Sequence, residues 1–180
     1  MARGKEKTLP KEKNILLTGK PGVGKTTIIK KLIARLSSAG GFYSEEIREA
    51  GQRQGFKILT LDGKQGLLAH KDIKTSYRVN KYGVNIKDLE GIAGKSIENA
   101  LKDEGITVII IDEIGRMELY STRFQNVVIQ ALDSPKPVIG IIQNRASPFT
   151  DKIKSRKDVE IREVTRSNRN KLAEELLAIS

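Results

Sequence analysis

An apolar run, Asn14-Ile15-Leu16-Leu17, leads into Gly19-Lys20-Pro21-Gly22-Val23-Gly24-Lys25-Thr26, and an amphipathic segment, Thr27-Ile28-Ile29-Lys30-Lys31-Leu32-Ile33, follows at once. The central octad fits G-x-x-x-x-G-K-[ST], the phosphate-binding P-loop, and the flanks supply the strand before and the helix after that the motif needs. No other feature of the chain constrains its fold as tightly. A loop of this kind works where the carboxyl end of a strand hands the backbone to a helix N-terminus, so it ties the chain to an α/β sheet and fixes where a ligand sits.

Each residue of the loop has a physical task. Gly22 and Gly24 open backbone conformations closed to other residues and leave room for phosphate oxygens. Successive N–H groups turn inward as an anion nest, and the helix that begins near Thr26 adds its unpaired N–H groups and positive dipole end, with Thr27 in its first turn. Lys25 is expected to reach the β- and γ-phosphates and Thr26 to give its hydroxyl to Mg²⁺. Pro21 stiffens the loop through its fixed φ, and Lys20 reads as a solvated or phosphate-facing charge.

The chain has 180 residues, 38% of them hydrophobic, which suits one domain with a sizeable core. Without cysteine there is no disulfide framework and no thiolate metal site. His70 is the single histidine, which excludes a histidine-based metal cluster, and it reads as an ordinary surface or strand residue. No apolar run approaches the ~20 residues that span a bilayer, and Met1-Ala2-Arg3-Gly4-Lys5-Glu6-Lys7 lacks the apolar core of a secretory signal. A cytoplasmic protein without a membrane partner is the expectation.

The formal net charge is +11, from 33 basic and 22 acidic residues. Such a surplus fits a nucleic-acid partner or a solvated lysine-rich surface that suits anionic nucleotides. Aromatic residues are only 4%, the basic residues are spread along the chain, and no run interleaves the two, so the solvated surface is favoured.

Residues 1–12 read as a polar, flexible extension, and residues 13–180 as a single domain in which strand-like and helix-like segments alternate. Ile28, Ile29, Leu32, Ile33 and Leu36 keep helical spacing, and Ser37-Ser38-Ala39-Gly40-Gly41 is expected to stop that helix before a strand begins at Phe42-Tyr43. Phe56 to Leu61, the Asp62-Gly63 turn and Leu67-Leu68-Ala69 predict a hairpin. Tyr77 to Asn85 reads as a loop. Ile86, Leu89, Ala93, Ile97 and Leu101 predict a helix that Gly91 and Gly94 weaken. Ile106 to Ile111 and Pro137 to Ile142 read as buried strands, Phe124 to Leu132 as a helix, Ser147-Pro148 as a helix start, Val159 to Val164 as an edge strand and Leu172 to Leu177 as a closing helix. The alternation predicts a three-layer P-loop α/β fold, with a mostly parallel central sheet extended by antiparallel strands.

A second feature defines the chemistry. The run Val108-Ile109-Ile110-Ile111 carries Asp112 and Glu113 to the end of a buried strand, where open α/β sheets bind ligands. Asp112 is expected to hold Mg²⁺ as the Walker-B acid, directly or through water. Glu113, one residue on, can orient and polarise a water against the γ-phosphate. The pair favours a hydrolase over a kinase, although Tyr82-Gly83 or the stretch Lys152 to Asp158 also suits an acceptor loop or lid.

Asp112-Glu113-Ile114-Gly115-Arg116-Met117-Glu118-Leu119 closely resembles the D-E-I-G-x-M-E-L signature of the small nucleoside-triphosphatases first described from thermophiles, also called the cancer-related nucleoside-triphosphatase family. Gly41-Phe42-Tyr43-Ser44-Glu45-Glu46-Ile47-Arg48, Tyr82-Gly83-Val84-Asn85 and Asn168-Arg169 are similar too, so the resemblance runs from about Lys13 onward. It implies Mg²⁺-dependent hydrolysis of ATP, GTP and other nucleoside triphosphates to diphosphate and phosphate, with loose base selectivity, on a RecA-like or kinase-like core with a mixed sheet. The chain departs from the family in having Arg116 where Lys is common. It reads Gln143-Asn144-Arg145 where many members have a His-Arg pair.

The candidate site therefore comprises Gly19 to Thr27 and Asp112 to Gly115, with Lys25 and Glu113 as catalytic groups and Thr26 and Asp112 as metal ligands. Arg48, Arg116 and Arg145 are candidates for neutralising charge on the transferring phosphoryl group, each with a surface salt bridge as the alternative. Asn144 lies beside Arg145. Asn168 and Arg169 either contact the base or cap the last helix. Two rival functions stay open: a nucleotide or nucleoside kinase, and a nucleic-acid-associated ATPase.

Overall fold

The computed structural model describes residues 13–179, and the expected extension over residues 1–12 lies outside them. The strands are β1 (Asn14–Thr18), β2 (Ala39–Glu49), β3 (Gln52–Thr60), β4 (Gln65–His70), β5 (Arg78–Val79), β6 (Tyr82–Val84), β7 (Val108–Ile114), β8 (Val138–Ile142) and β9 (Val159–Glu163). They form one mixed sheet in the order β5-β6-β4-β3-β2-β7-β8-β1-β9. The half from β2 to β9 is parallel, and β3, β4, β6 and β5 continue it antiparallel. This is the three-layer α/β architecture the alternation predicts.

The helices are α1 (Lys25–Ile33), α2 (Ile86–Asp88), α3 (Lys95–Lys102), α4 (Thr122–Asp133), α5 (Pro148–Lys154) and α6 (Arg169–Ile179). Alternate residues of the central strands serve opposite faces. Leu16, Ile109 and Ile111 pack with α3 and α4, whereas Ile15, Leu17, Ile110 and Ile139 pack with α1 and α6. Because both faces are covered, β1, β7 and β8 read as unbroken apolar runs. On the first face Phe42 of β2 meets Phe124 of α4 edge-to-face, with centroids 5.8 Å apart. Among the described residues no helix is long and apolar enough to cross a membrane.

Three local expectations are corrected. The first helix stops at Ile33, and Gly40-Gly41 lies within β2 rather than capping the helix. At Gly41, φ is +100° and a Cβ would overlap the Ile110 carbonyl oxygen; at Gly40 it would overlap Ala100. The glycines let β2 press against β7 and α3, a demand for close approach that resembles a helix stop in sequence. The expected loop Tyr77 to Asn85 contains the tight hairpin β5–β6, too short to show any periodicity. The helix expected from Ile86 onward does form, but its turn over Leu89–Gly94 is widened to π geometry where the two glycines sit.

The parallel strands β1, β7 and β8 share one carboxyl edge. Pairing of β2 with β7 ends at Phe42 and Ile111, while β2 runs on to Glu49 paired only with β3. The β2–β3 hairpin thus rises past the edge as a wall beside the crevice.

Candidate active site

The crevice is a cleft of about 950 Å³. From one side it is lined by Gly19, Lys20, Pro21, Gly22, Gly24, Lys25, Thr26 and Thr27, and from the other by Asp112, Glu113 and Arg116. The loop after β1 and the end of β7, with Lys25 and Asp112 87 positions apart in the chain, therefore face one space. Gly22 and Gly24 hold φ of +76° and +107°, the left-handed conformations the loop requires.

Val23, Ile114 and Gly115 are placed differently. Val23 and Ile114 turn into the two cores, anchoring the loop and the end of β7. Gly115 is also buried. A methyl group there would overlap Oε1 of Glu113, so the glycine is the seat over which the Glu113 carboxylate folds.

The electrostatics are those of a site built to receive charge. Lys25 Nζ donates to the carbonyl oxygens of Gly19 (2.8 Å) and Lys20 (2.9 Å), closing the loop on itself. Burial lowers its pKa, against the opposing pull of Glu113 and Asp112. Asp112 is 1% exposed. Burial, then the neighbouring Glu113 charge, pushes its pKa up to about 7, although Thr26 hydrogen-bonds to it. Its second oxygen, Oδ2, is buried without a hydrogen-bond partner. A carboxylate so placed suits a cationic ligand, since an unpaired buried charge is costly. Burial also raises the pKa of Glu113, with Lys25 opposing.

Glu118 was quoted in the sequence signature without a role. It is 2% exposed, and its Oε2 accepts from the Gly115 N–H at 3.2 Å. Burial and the Glu113 charge drive its pKa well above the usual carboxylate range. Glu118 thus braces the turn that carries Glu113. An acid amid apolar neighbours, three residues beyond a glycine, is the signal that could have found it. Gln143, just past β8, stands in the sequence only as part of a departure from the family pattern. It lines the cleft, its Nε2 donates to the Arg145 carbonyl (3.0 Å), and its Oε1 is buried and unpartnered.

The model matched by the chain describes an NTPase family and spans residues 14–177. The nucleoside-triphosphatase THEP1 of Thermotoga sp. (strain RQ2) is 54% identical over 165 residues, covering 92% of this chain and 94% of that protein. The chain belongs to the THEP1 nucleoside-triphosphatase family. It is accordingly an enzyme that hydrolyses nucleoside triphosphates. The crystal structure of THEP1 from Aquifex aeolicus matches it with a TM-score of 0.82 at 37% identity, covering 92% of this chain and 98% of the other. The solution structure of a human cancer-related nucleoside triphosphatase matches with a TM-score of 0.79 at 37% identity, covering 92% and 96%.

Against this THEP1 frame the remaining candidates separate. Arg48 lines the cleft but is committed to Glu46 (2.6 Å) and the Gly51 carbonyl (2.9 Å). Arg116 and Arg145 line it with no carboxylate within 4 Å among the described residues. Asn144 is exposed there, its carbonyl accepting from Lys154 (3.3 Å). Asn168 stands outside: its side chain accepts from Thr165 N–H and donates to the Glu163 carbonyl, bracing the turn before α6. Arg169 donates to the Val23 carbonyl (3.4 Å) and lines a separate hollow of about 260 Å³ with Gly24, Thr27, Ile28, Lys31 and Asn170. Gly24 and Thr27 border both spaces.

Proposed function

We propose that this chain hydrolyses ATP, GTP and other nucleoside triphosphates to diphosphate and phosphate, in a Mg²⁺-dependent reaction with loose base selectivity, in the cytoplasm. We take residues 13–180 as the single domain that does so. The observation that carries the reading is the convergence of Lys25 and Thr26 with Asp112 and Glu113 on one cleft.

On this reading the triphosphate takes over the Lys25 ammonium from the Gly19 and Lys20 carbonyls. Its phosphates rest on the loop N–H groups and the N-terminus of α1. Thr26 and Asp112 are the residues that hold Mg²⁺, which suits the unpartnered Asp112 oxygen. When bound there, the ion would offset negative charge on the phosphates. Glu113 accepts a proton from water as the water oxygen attacks the γ-phosphorus. The bond from that phosphorus to the β-phosphate oxygen breaks, and the diphosphate departs. Arg116 and Arg145, with no acid to hold them, neutralise the charge that develops on the γ-phosphoryl oxygens.

Loose selectivity finds support in the hollow beside Gly24. Thr27, Lys31, Arg169 and Asn170 are exposed there, so a base meets solvent-facing side chains instead of a buried frame of donors and acceptors. Without an arginine supplied by a partner, turnover is expected at roughly 10⁻⁴–10⁻² per second. The test is phosphate release from ATP, GTP, CTP and UTP, with Mg²⁺ and with a chelator, and no added acceptor. Comparable slow release from all four, abolished by the chelator, is expected. Release that needs an added nucleoside would give the site to a kinase.

A further inference from the structure

Two exposed tyrosines form a paired surface beside the β5–β6 hairpin. Tyr77 (45% exposed) and Tyr120 (42%) are the large hydrophobic side chains that stand exposed among the described residues. The fold brings them together from positions 43 apart in the chain, with ring centroids 5.5 Å apart and planes tilted by 59°. Tyr120 Oη donates to the Arg78 carbonyl at 2.7 Å, which locks the turn carrying Tyr120 to β5. Arg78 in turn donates to the carbonyls of Ile73 (3.1 Å) and Lys81 (2.7 Å), pinning both sides of the β5–β6 hairpin. The aromatic faces are therefore held in place before anything binds, and preorganisation of that kind lowers the cost of association.

The surroundings are cationic. Residues 71–81 contain Lys71, Lys74, Arg78 and Lys81 against one acid, Asp72, and all five are exposed. Asp72 faces His70 at 3.3 Å, and no carboxylate lies within 4 Å of any of the four basic groups among the described residues. Lys30 and Lys57 are paired by Glu45 and Arg53 by Glu46, so these four differ from the basic groups of the neighbouring β2–β3 hairpin. Uncompensated cations in the segment that carries an exposed aromatic face match the chemistry of a single-stranded nucleic acid, in which phosphates alternate with unstacked bases. A duplex hides its π-faces. A bilayer would call for exposed aliphatic side chains, and among the described residues the exposed large hydrophobics are the two tyrosines.

We propose that the Tyr77–Tyr120 face is a docking surface for single-stranded nucleic acid, with bases stacked on the tyrosines and phosphates on Lys71, Lys74, Arg78 and Lys81. The surface adjoins the cleft: Val79 of β5 lines it, and Tyr120 lies two residues beyond the Glu118 that braces the Glu113 turn. The proposal does not depend on the roles assigned to Lys25 or Glu113, and its test leaves nucleotide hydrolysis as a separate readout.

The experiment is fluorescence anisotropy of the full chain with labelled oligo(dT) and oligo(U), beside a duplex of equal length and phosphatidylserine vesicles. Four neutralised phosphates give a slope of log affinity against log salt of about −2.8, which is about a fiftyfold loss between 50 and 200 mM. Lys74→Ala with Lys81→Ala should flatten the slope by about 1.4. Tyr77→Ala should weaken binding by about fivefold to a hundredfold, Tyr77→Phe should restore it, and both should keep wild-type ATP hydrolysis. Four results overturn the proposal: no saturable binding at 50 mM salt, full affinity in Tyr77→Ala, a duplex bound as tightly as the single strand, or vesicles preferred over the oligonucleotide.

Discussion

The two halves of the sheet do different work and are written differently in the sequence. In the parallel half, β1, β7 and β8 are buried runs whose carboxyl ends deliver the Gly19–Thr26 loop, the Asp112-Glu113 pair and Gln143 to one cleft. In the antiparallel half, β3 to β6 bring no phosphate-binding motif, yet Arg53, Phe56, Leu68 and Val79 form the far wall of the same cleft. The contrast separates chemistry from enclosure. On the proposed reading, the groups that meet the triphosphate come from the parallel edge, and the extension shapes the space. Substitutions in the two halves should therefore part company in turnover.

The largest effect is expected at Glu113. Glu113→Gln removes the proton acceptor and keeps the shape, so hydrolysis should fall by about 10²–10⁴-fold while nucleotide binding persists. Isothermal titration with a non-hydrolysable triphosphate, beside phosphate release, reads both quantities. Unchanged hydrolysis would displace Glu113 from its role. Lys25→Ala should follow, with a loss of about 10²–10³-fold that appears chiefly as weakened triphosphate affinity.

Legibility follows the same division. The loop and the acid pair are contiguous motifs, so a string of letters carries them whole. The first strand, the central runs and the Phe56–Ala69 hairpin likewise follow from periodicity. What the letters hide depends on distance in the chain or on backbone proximity. Gly40-Gly41 resembles a helix stop until β7 and α3 are seen against it. Tyr77 and Tyr120 resemble two isolated aromatics until the β5–β6 hairpin joins them. Glu118 is one acid among many until its burial and its bond to Gly115 are known.

Gly115→Ala tests how finely the parallel edge is tuned. The added methyl overlaps the Glu113 carboxylate, and a displacement of about 1 Å can cost about 10²-fold in rate. The expected result is a drop in kcat with KM for ATP little changed. A normal kcat would mean that Glu113 acts from another pose.

The buried acids also predict a pH dependence of stability. In the ligand-free protein Asp112 has its pKa raised to about 7, and Glu118 is raised well above the carboxylate range, both through burial first. A raised acid favours the folded state when protonated. Its contribution is complete below the unfolded value and is lost as pH climbs through the folded value. Thermal stability should therefore fall between about pH 4 and pH 7, by an amount on the order of a few kcal/mol or roughly 5–10 °C. The carboxylates whose pKa values are lowered by ion pairs, Glu45 and Glu46 among them, act at more acid pH and leave that window alone. Asp112→Asn should flatten much of the slope in differential scanning fluorimetry, and an unaltered slope would assign it elsewhere.

The smallest effect is expected in the extension, and it is the one that best isolates enclosure. Arg53 pairs with Glu46 (2.8 Å), donates to Tyr82 Oη (3.0 Å) and lies over the rings of Phe56 and Tyr82 at 5.2 and 5.6 Å. Its side chain is 43% exposed, so the ion pair is screened and is worth less than about 1 kcal/mol, and each ring contact adds a comparable amount. Arg53→Ala should therefore lower stability by about 1 kcal/mol, while Arg48 keeps Glu46 paired. With the loop, the acids and Arg116 untouched, kcat for ATP should stay within about twofold, since only interactions stronger in the transition state set the rate. A fall of tenfold or more at unchanged stability would put the β3 wall into the chemistry and erase the division between the two halves.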